Sequence, residues 1–442
     1  MKTRLTGWGR TAGSLCEVET PSTEDEVERA LVAPAVIARG LGRSYGDAAQ
    51  VGGGLVLDNR GLDAIGPIGP DGIVTVGAGV SIEDLLALSI PQGWFVPVTP
   101  GTRQVSIGGA VAADVHGKNH HVDGSFARHV RSMRLVTPTG VHQLSPEDEP
   151  ALFWATFGAM GLTGVLSEVT LQLLAVESDQ VLVDTDRYDD LDEVMAAMVE
   201  GDDRYRYSVA WVDCMARGRR MGRSILTRGD HATRDDVTNA TRVAPRAARL
   251  AVPVTAPPGL LNPFTITAFN ELWFRAAPRH RVGEAQSIAS FFHPLDGLRD
   301  WNRLYGPRGF VQYQFGVPDD GAEAVTSAIA RLSQSRVPSF LAVLKRFGPA
   351  DPAPLSFPQP GWTLALDLPV GPATLAPLLD ELDELVVAAH GRVYLAKDAR
   401  LAPATMRAMY PRLGEFAALA DTIDPERHLT SDLARRLRLR EG

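Results

Sequence analysis

Cysteine is nearly missing: Cys16 and Cys214 are the only two in 442 residues. They lie far apart, without the close pairing of metal or redox motifs, so neither a disulfide framework nor a zinc site has support. Both are expected as small buried apolar residues. Long apolar runs are missing too. Nothing approaches the roughly 18 uninterrupted apolar residues of a membrane helix, and the opening MKTRLTGWGR lacks the apolar centre of a signal peptide, so synthesis and folding in the cytosol are expected. Positive charge is not in excess. The net charge of −9 argues against a primary role with nucleic acid. Internal repeats and low-complexity blocks are likewise absent. The length has a prior of about three domains, two large ones being equally natural, with ample chain for sizeable cores.

Glycine, by contrast, is clustered. Residues 38 to 47 read ARGLGRSYGD, with Gly40, Gly42 and Gly46 directly after AVIARG, a plausible buried strand. Glycine serves where φ must be positive or where a ligand approaches the main chain, and successive exposed amides make an anion-binding concavity. The stretch is not a Walker A loop, which needs a Gly-Lys-Ser/Thr ending. Nor is it a dinucleotide fingerprint, since the third glycine comes one position late and a turn and strand follow instead of a helix. A tight loop without ligand and a phosphate cradle remain equal readings of these residues alone. A second glycine-rich stretch, PGTRQVSIGGAVAADVHGKNHHVDGS, carries small residues at Gly108, Gly109, Ala110, Ala112 and Ala113, a helix or loop against which something flat could press.

From Val36 to about Leu173, short β-rich runs such as GGLVLD, DGIVTVGAGV and TGVLSEVTLQLL alternate with glycine turns. Ser81 and Asp84 have capping-box spacing before an apolar run and predict a helix start. Beyond residue 177 the texture becomes α+β, with strands such as YSVAWVD, GFVQYQFGVP and GWTLALDLPV and helices such as EAVTSAIARLSQS. Between Arg228 and Pro263 the Arg-, Ala-, Pro- and Thr-rich sequence has no periodicity and predicts a long loop. With Arg242, Arg246 and Arg249 among Leu250, Val252, Leu260 and Leu261, that loop is a candidate for contact with anionic lipid headgroups, against the plainer reading of a solvated loop.

With both glycine-rich segments in view, the sequence resembles the flavoprotein superfamily of vanillyl-alcohol oxidase type, most closely its members that oxidise a polyprenylphosphoryl ribose. The likeness runs almost end to end, through RLTGWGRTA, ARGLGRSYGDAAQ, PVTPGTRQVSIGGAVAADVHGKNHH, GSFARHVRSM, LFWATFGAMGLTG, FFHPLDGLRDWNRLYGPRGFVQYQF, APLSFPQPGW, YLAKDAR and SDLARRL. It implies an α+β, two-domain enzyme: an FAD-binding domain over 1–176, a substrate domain with a large antiparallel sheet over 177–391, and a segment 392–442 that returns to the FAD domain. It implies noncovalent FAD and no metal. The implied reaction oxidises the ribose 2'-hydroxyl to the ketone, the first half of an epimerisation that supplies an arabinose donor for cell-wall arabinan. A separate NAD(P)-dependent reductase of short-chain type would complete it. The alternative within the same chemistry is a soluble polyol, sugar or aldonolactone as substrate.

Carried over residue by residue, the resemblance places Arg39, Gly40, Leu41, Gly42, Arg43, Ser44, Tyr45 and Gly46 around the cofactor. Gly101, Thr102, Val105, Ser106, Gly108, Gly109, His116, Gly117, Val165 and Tyr394 join them. Substrate contacts are assigned to Lys118, Phe292, Gln312, Gln314, Lys345, Phe347, Thr363, Ala365, Asp367 and Lys397, with Lys397, Tyr45 and His116 nearest the chemistry. The residues themselves agree in part. In FVQYQF the two glutamines alternate with apolar neighbours and so share one strand face, as do Thr363, Ala365 and Asp367 in GWTLALDLP. Lys397, read on a strand with Val393 and Leu395, is an odd place for an ammonium unless a cavity is there, where desolvation lowers its pKa and fits it for acid–base work. His116 and His120, four apart, have helical ligand spacing but lack the third ligand of a zinc motif. Ala365, Thr363, Phe292 and Val209 stand where the mycobacterial members carry cysteine, asparagine, tyrosine and serine, so the pocket wall is altered.

Overall fold

The structure, a computed structural model, describes residues 2–441 apart from 239, 247 and 249. Arg249 of the basic stretch therefore lies outside the described residues.

The glycine-punctuated first part forms two small sheets. In one, Lys2–Thr6, Gly13–Glu19, Leu55–Asp58 and Val36–Arg39 lie side by side in that order, the last three parallel. Leu55–Asp58 is buried along its length, as a continuous apolar run should be in a parallel strand covered on both faces. The other is antiparallel, ordered Ile73–Gly77, Val165–Gln172, Val130–Thr137, Gly140–Leu144. The helix Ile82–Ser89 starts at Ser81, whose side chain accepts from the Asp84 N–H at 2.9 Å. The small residues of the second glycine stretch form the helix Ile107–Ala112, capped by Ser106.

The later part is built on eight antiparallel strands in the spatial order His280–Ser287, Gln180–Tyr188, Ser224–His231, Tyr207–Val212, Ala342–Phe347, Gly361–Pro369, Phe310–Val317, Arg392–Val393. Period-two alternation divides its faces. Leu364, Leu366 and Leu368 are buried in the apolar core that also takes in the helices Glu323–Ser335 and Leu375–Ala388, while Thr363, Ala365 and Asp367 point the other way. One continuous apolar cluster joins Val76 and Phe95 of the first part to Val181 and Leu364 of this sheet. The two parts are packed as one body around what lies between them.

Three expectations need correction. The irregular stretch does not begin at Arg228, which lies inside the strand Ser224–His231, buried and paired with Asp186 at 3.2 Å. At its other end Pro263 opens the 14-residue helix Pro263–Ala276, capped by Asn262, because proline at the first helical position gives up only an N–H that has no helical partner. The strand expected to carry Lys397 ends at Val393, and Lys397 sits in a turn whose N–H donates to Tyr394 O at 2.9 Å. From there the chain runs back to the first sheet, where Thr430 N–H donates to Val36 O at 3.0 Å and Arg436 bridges Asp47 and Asp398 at 2.7 and 2.9 Å.

Candidate active site

A cavity of about 1450 Å³ lies between the glycine-rich loops and the open face of the eight-stranded sheet. Pockets for one drug-sized ligand run to about 1,000 Å³, so this one has room for two.

Its first region is backbone. Gly40 to Tyr45, Gly101, Thr102, Val105, Ser106, Gly108, Gly109 and Gly117 all line it. A Cβ on Gly40 would collide with Ser106 Oγ, the atom that caps the helix Ile107–Ala112, and Gly42 has φ +64°. A Cβ on Gly101 would meet nothing within 4 Å, so the space beside its main chain is empty. Asn59 Oδ1 and Thr99 Oγ1, on lining residues, are buried without a hydrogen-bond partner among the described residues. Leaving such an atom unsatisfied costs about 1–3 kcal/mol, so a ligand with polar groups along its length fits here. A glycine cradle and two waiting side-chain acceptors or donors fit a dinucleotide-sized cofactor such as FAD.

The second region is cationic. Lys345 Nζ lies 3.1 Å from His116 Nδ1 and donates to Gly117 O at 3.4 Å, while the Gln314 amide lies 2.9 Å from His116 Nε2. Burial, reinforced by Lys345, holds the His116 imidazole neutral, well below its ordinary range. Lys397 Nζ stands 4.1 Å from the centre of the Tyr45 ring, and Gln312 Nε2 donates to Tyr45 Oη at 3.2 Å and to Asp367. Burial brings Lys397 down to about 8, with Asp367 opposing, and brings Lys345 down to about 7, helped by Lys118 and Lys397. Lys118 also falls to about 7 through burial, its Nζ donating to Phe291 O and lying 4.0 Å from the Phe291 ring. Three lysines facing one cavity, with Asp367 the carboxyl that opposes the fall of Lys397, make a site for an anion.

Backbone packing brings the two regions together. Tyr45 N–H donates to Ala396 O at 2.9 Å, and Gly46 is glycine because Asp398 O occupies the space a Cβ would take. Loop 40–46 and the Lys397 turn are thus locked to each other.

The cavity wall also includes Phe292, Ala365 and Tyr394, but six expected contacts stand behind it. Arg39 turns inward to donate to Ala49 O and Thr6 O at 2.9 and 2.8 Å, and Gly46 faces Asp398. Val165 is buried in its strand. Phe347 supports the edge of the His116 ring at 4.8 Å. Thr363, fully buried, donates to Phe315 O at 2.9 Å and accepts from Gln314. Asp367 is buried between Gln312 and Tyr305 Oη, burial raising its pKa. These last three hold the wall; they do not form it. His116 and His120 do not share a helix either: the helix there is His120–Asp123, and His120 Nδ1 accepts from Gly348 N–H at 3.1 Å.

A third region was foreseen only at Val209. Val209, Trp211, Ile225, Val343 and Phe340, with Phe269 and Trp273 of the helix Pro263–Ala276, form an apolar arm. Alternation in YSVAWVD could have pointed to Trp211, two residues from Val209 on the same face. Nothing local marks Phe269 and Trp273, because only the fold brings that helix to the cavity. Trp8, within RLTGWGRTA, also lines the cavity, with the Arg43 guanidinium 4.1 Å from its ring centre.

Comparison with known proteins gives the family. A family described as an FAD-binding domain matches residues 17–145. The chain is 43% identical to decaprenylphosphoryl-β-D-ribose oxidase of Mycolicibacterium smegmatis, over 99% of this chain and 97% of that one. It is 41% identical to an uncharacterised Streptomyces coelicolor protein over 81% of this chain and all of that one. With L-gulono-1,4-lactone dehydrogenase of Mycobacterium tuberculosis it shares 25% identity over 91% of this chain and 90% of that one. The glycine cradle, the lysine cluster and this full-length likeness together make the chain an FAD-dependent oxidoreductase that belongs to the decaprenylphosphoryl-β-D-ribose oxidase family of vanillyl-alcohol oxidase type flavoproteins.

Proposed function

We propose that this enzyme oxidises the 2'-hydroxyl of a polyprenylphosphoryl-β-D-ribose to the 2'-ketone. The observation that carries the reading is one cavity joining three surfaces: a glycine cradle for the cofactor, three lysines suited to a phosphodiester, and an apolar arm suited to a prenyl tail. The 43% identity to a relative of that name supports the same substrate class.

When bound, FAD supplies the acceptor for the hydride that leaves the carbinol carbon. The chain's own residues handle the proton and the charge. With its pKa lowered by burial to about 8, Lys397 is a neutral amine near pH 7.4 far more often than an ordinary lysine, so it is fitted to take the hydroxyl proton. Gln312 links Tyr45 to Asp367 and so holds the ring over which Lys397 lies. Gln314 and Lys345 orient the neutral His116. Lys345 and Lys118 take the phosphate, whose charge returns both amines to the protonated state. The domain division 1–176, 177–391 and 392–442 belongs to the same reading, with the sheet itself running on to Val393. So do a separate nicotinamide-dependent reductase acting on the ketone and a working position at a membrane surface, from which the substrate tail is drawn. No helix among the described residues is long and apolar enough to cross a bilayer.

Anaerobic titration with a short-chain polyprenylphosphoryl ribose tests this. The flavin absorbance should bleach, and Lys397→Ala should keep its FAD but lose about 10²–10⁴-fold in bleaching rate, the usual contribution of a positioned base. A flavin that stays oxidised with this lipid but bleaches with an aldonolactone would move the enzyme toward its 25% identical dehydrogenase relative.

A further inference from the structure

Between residues 243 and 282 the surface is unlike the rest of the protein. Of the fifteen large apolar side chains exposed among the described residues, nine fall there, including Phe264 at 83%, Leu272 at 70%, Val254 at 70% and Trp273 at 52%. The helix Pro263–Ala276 buries Ile266 and Phe274 on one side and leaves Phe264, Phe269, Leu272 and Trp273 on the other. Apolar side chains this exposed on a helix are normally covered by a partner, and among the described residues nothing covers Phe264 or Leu272. The charge is also inverted. A chain of net charge −9 places five arginines and two acids among the described residues between Val237 and Gln286. Both acids are already engaged, Glu271 with Arg223 and Arg275, Glu284 with Arg281.

The surface is continuous with the cavity. Ala248 and Ala251 from the preceding loop, and Phe269, Trp273 and Ala276 from the helix, line the apolar arm from within. One face of the helix therefore belongs to the cavity mouth and the adjoining face to solvent.

We propose that the helix Pro263–Ala276 and the loop before it form the face by which this protein docks on an anionic bilayer, with the cavity mouth against the headgroups. This inference rests on the lipid-substrate reading and adds to it the surface and the lipid charge. Apolar side chains entering the headgroup boundary beside a basic rim are the physical requirements of an interfacial helix, and anionic lipid attracts each nearby arginine in a salt-dependent way. A tail passing from the bilayer into the apolar arm would then cross no stretch of open water.

The test is co-sedimentation of the FAD-loaded protein with vesicles of phosphatidylcholine alone, or of phosphatidylcholine and phosphatidylglycerol in equal parts. Binding should require the anionic lipid and weaken with salt. Phe264→Glu with Leu272→Glu should lower it about ten-fold or more. Neither residue lines the cavity, so bleaching by a short-chain soluble substrate should be unchanged in that variant. If its flavin content or melting temperature shows that it does not fold, Arg279→Glu with Arg281→Glu serves instead and should give the same loss. Wild-type protein that sediments with neither vesicle overturns the proposal. So does a dimer in analytical ultracentrifugation that these substitutions dissociate without any vesicle binding, which would make a second copy of the chain the occupant. In either case bleaching by the short-chain substrate would leave the lipid-substrate reading standing. Vesicle binding without any bleaching would support the docking face and refute that reading.

Discussion

Lys397 and Lys345 face the same cavity with different neighbours. Asp367 opposes the fall of Lys397, whereas Lys345 is depressed further by two other lysines, so they titrate near 8 and near 7. This separates the two kinetic constants. A base must be neutral to act, so kcat should rise with pH through about 8 as Lys397 loses its proton. Phosphate binding needs charged amines, so KM should rise above about pH 7, where Lys345 and Lys118 become neutral in the free enzyme and must be reprotonated on binding. Steady-state rates with a short-chain substrate between pH 6 and 9 check both directions, and parallel profiles for kcat and kcat/KM would count against separate roles. The residue types were legible from sequence. Their distances were not: Gln312 and Asp367 are 55 residues apart in the chain and meet only because their strands pair in register.

At the scale of single elements, the short helix Ile107–Ala112 and the loop 40–46 depend on one atom. Ser106 Oγ caps the helix through the Gly109 N–H at 3.2 Å and fills the space where Gly40 would carry a Cβ. Ser106→Ala should cost about 1 kcal/mol by loss of the cap. Gly40→Ala should cost at least that, because the new methyl displaces the hydroxyl and pushes the loop away, and it should also weaken FAD retention. The double variant should be less destabilised than the sum, since removing the hydroxyl relieves part of the collision. Thermal melts and flavin release measure all three. The glycine-rich texture announced this loop, and capping-box spacing announced the helix at Ser81. The strand expected under Lys397 failed because alternation cannot distinguish the end of a strand from a turn that continues the same apolar pattern.

For the whole molecule, the C-terminal segment is the tie. Arg436 joins Asp47, next to the glycine loop, to Asp398, next to Lys397, and both carboxylates are largely shielded from water. Removing one partner of a buried ion pair leaves uncompensated charge and costs about 3–5 kcal/mol, with the lower end apt here because Arg436 keeps some exposure. Arg436→Met should therefore lower the melting temperature, loosen FAD, and slow bleaching even though it touches neither ligand. A melting temperature unchanged within error would show that the loop and the turn hold each other through their backbone bonds alone.

The sequence by itself determined the chemistry available: glycines that only a tight loop or cradle would use, alternating strands that put two glutamines on one face, and motifs that matched a flavoprotein family from end to end. Such information is local, carried by backbone freedom and by periods of two and 3.6 residues. Tertiary structure decided which of those residues reach the cavity. It set Arg39, Gly46, Val165, Phe347, Thr363 and Asp367 behind the wall and turned Lys397 into it from a turn. It also brought the helix Pro263–Ala276 to the mouth. Those outcomes depend on strand register, on close backbone approach and on packing between segments hundreds of residues apart, none of which is written in any one stretch of chain.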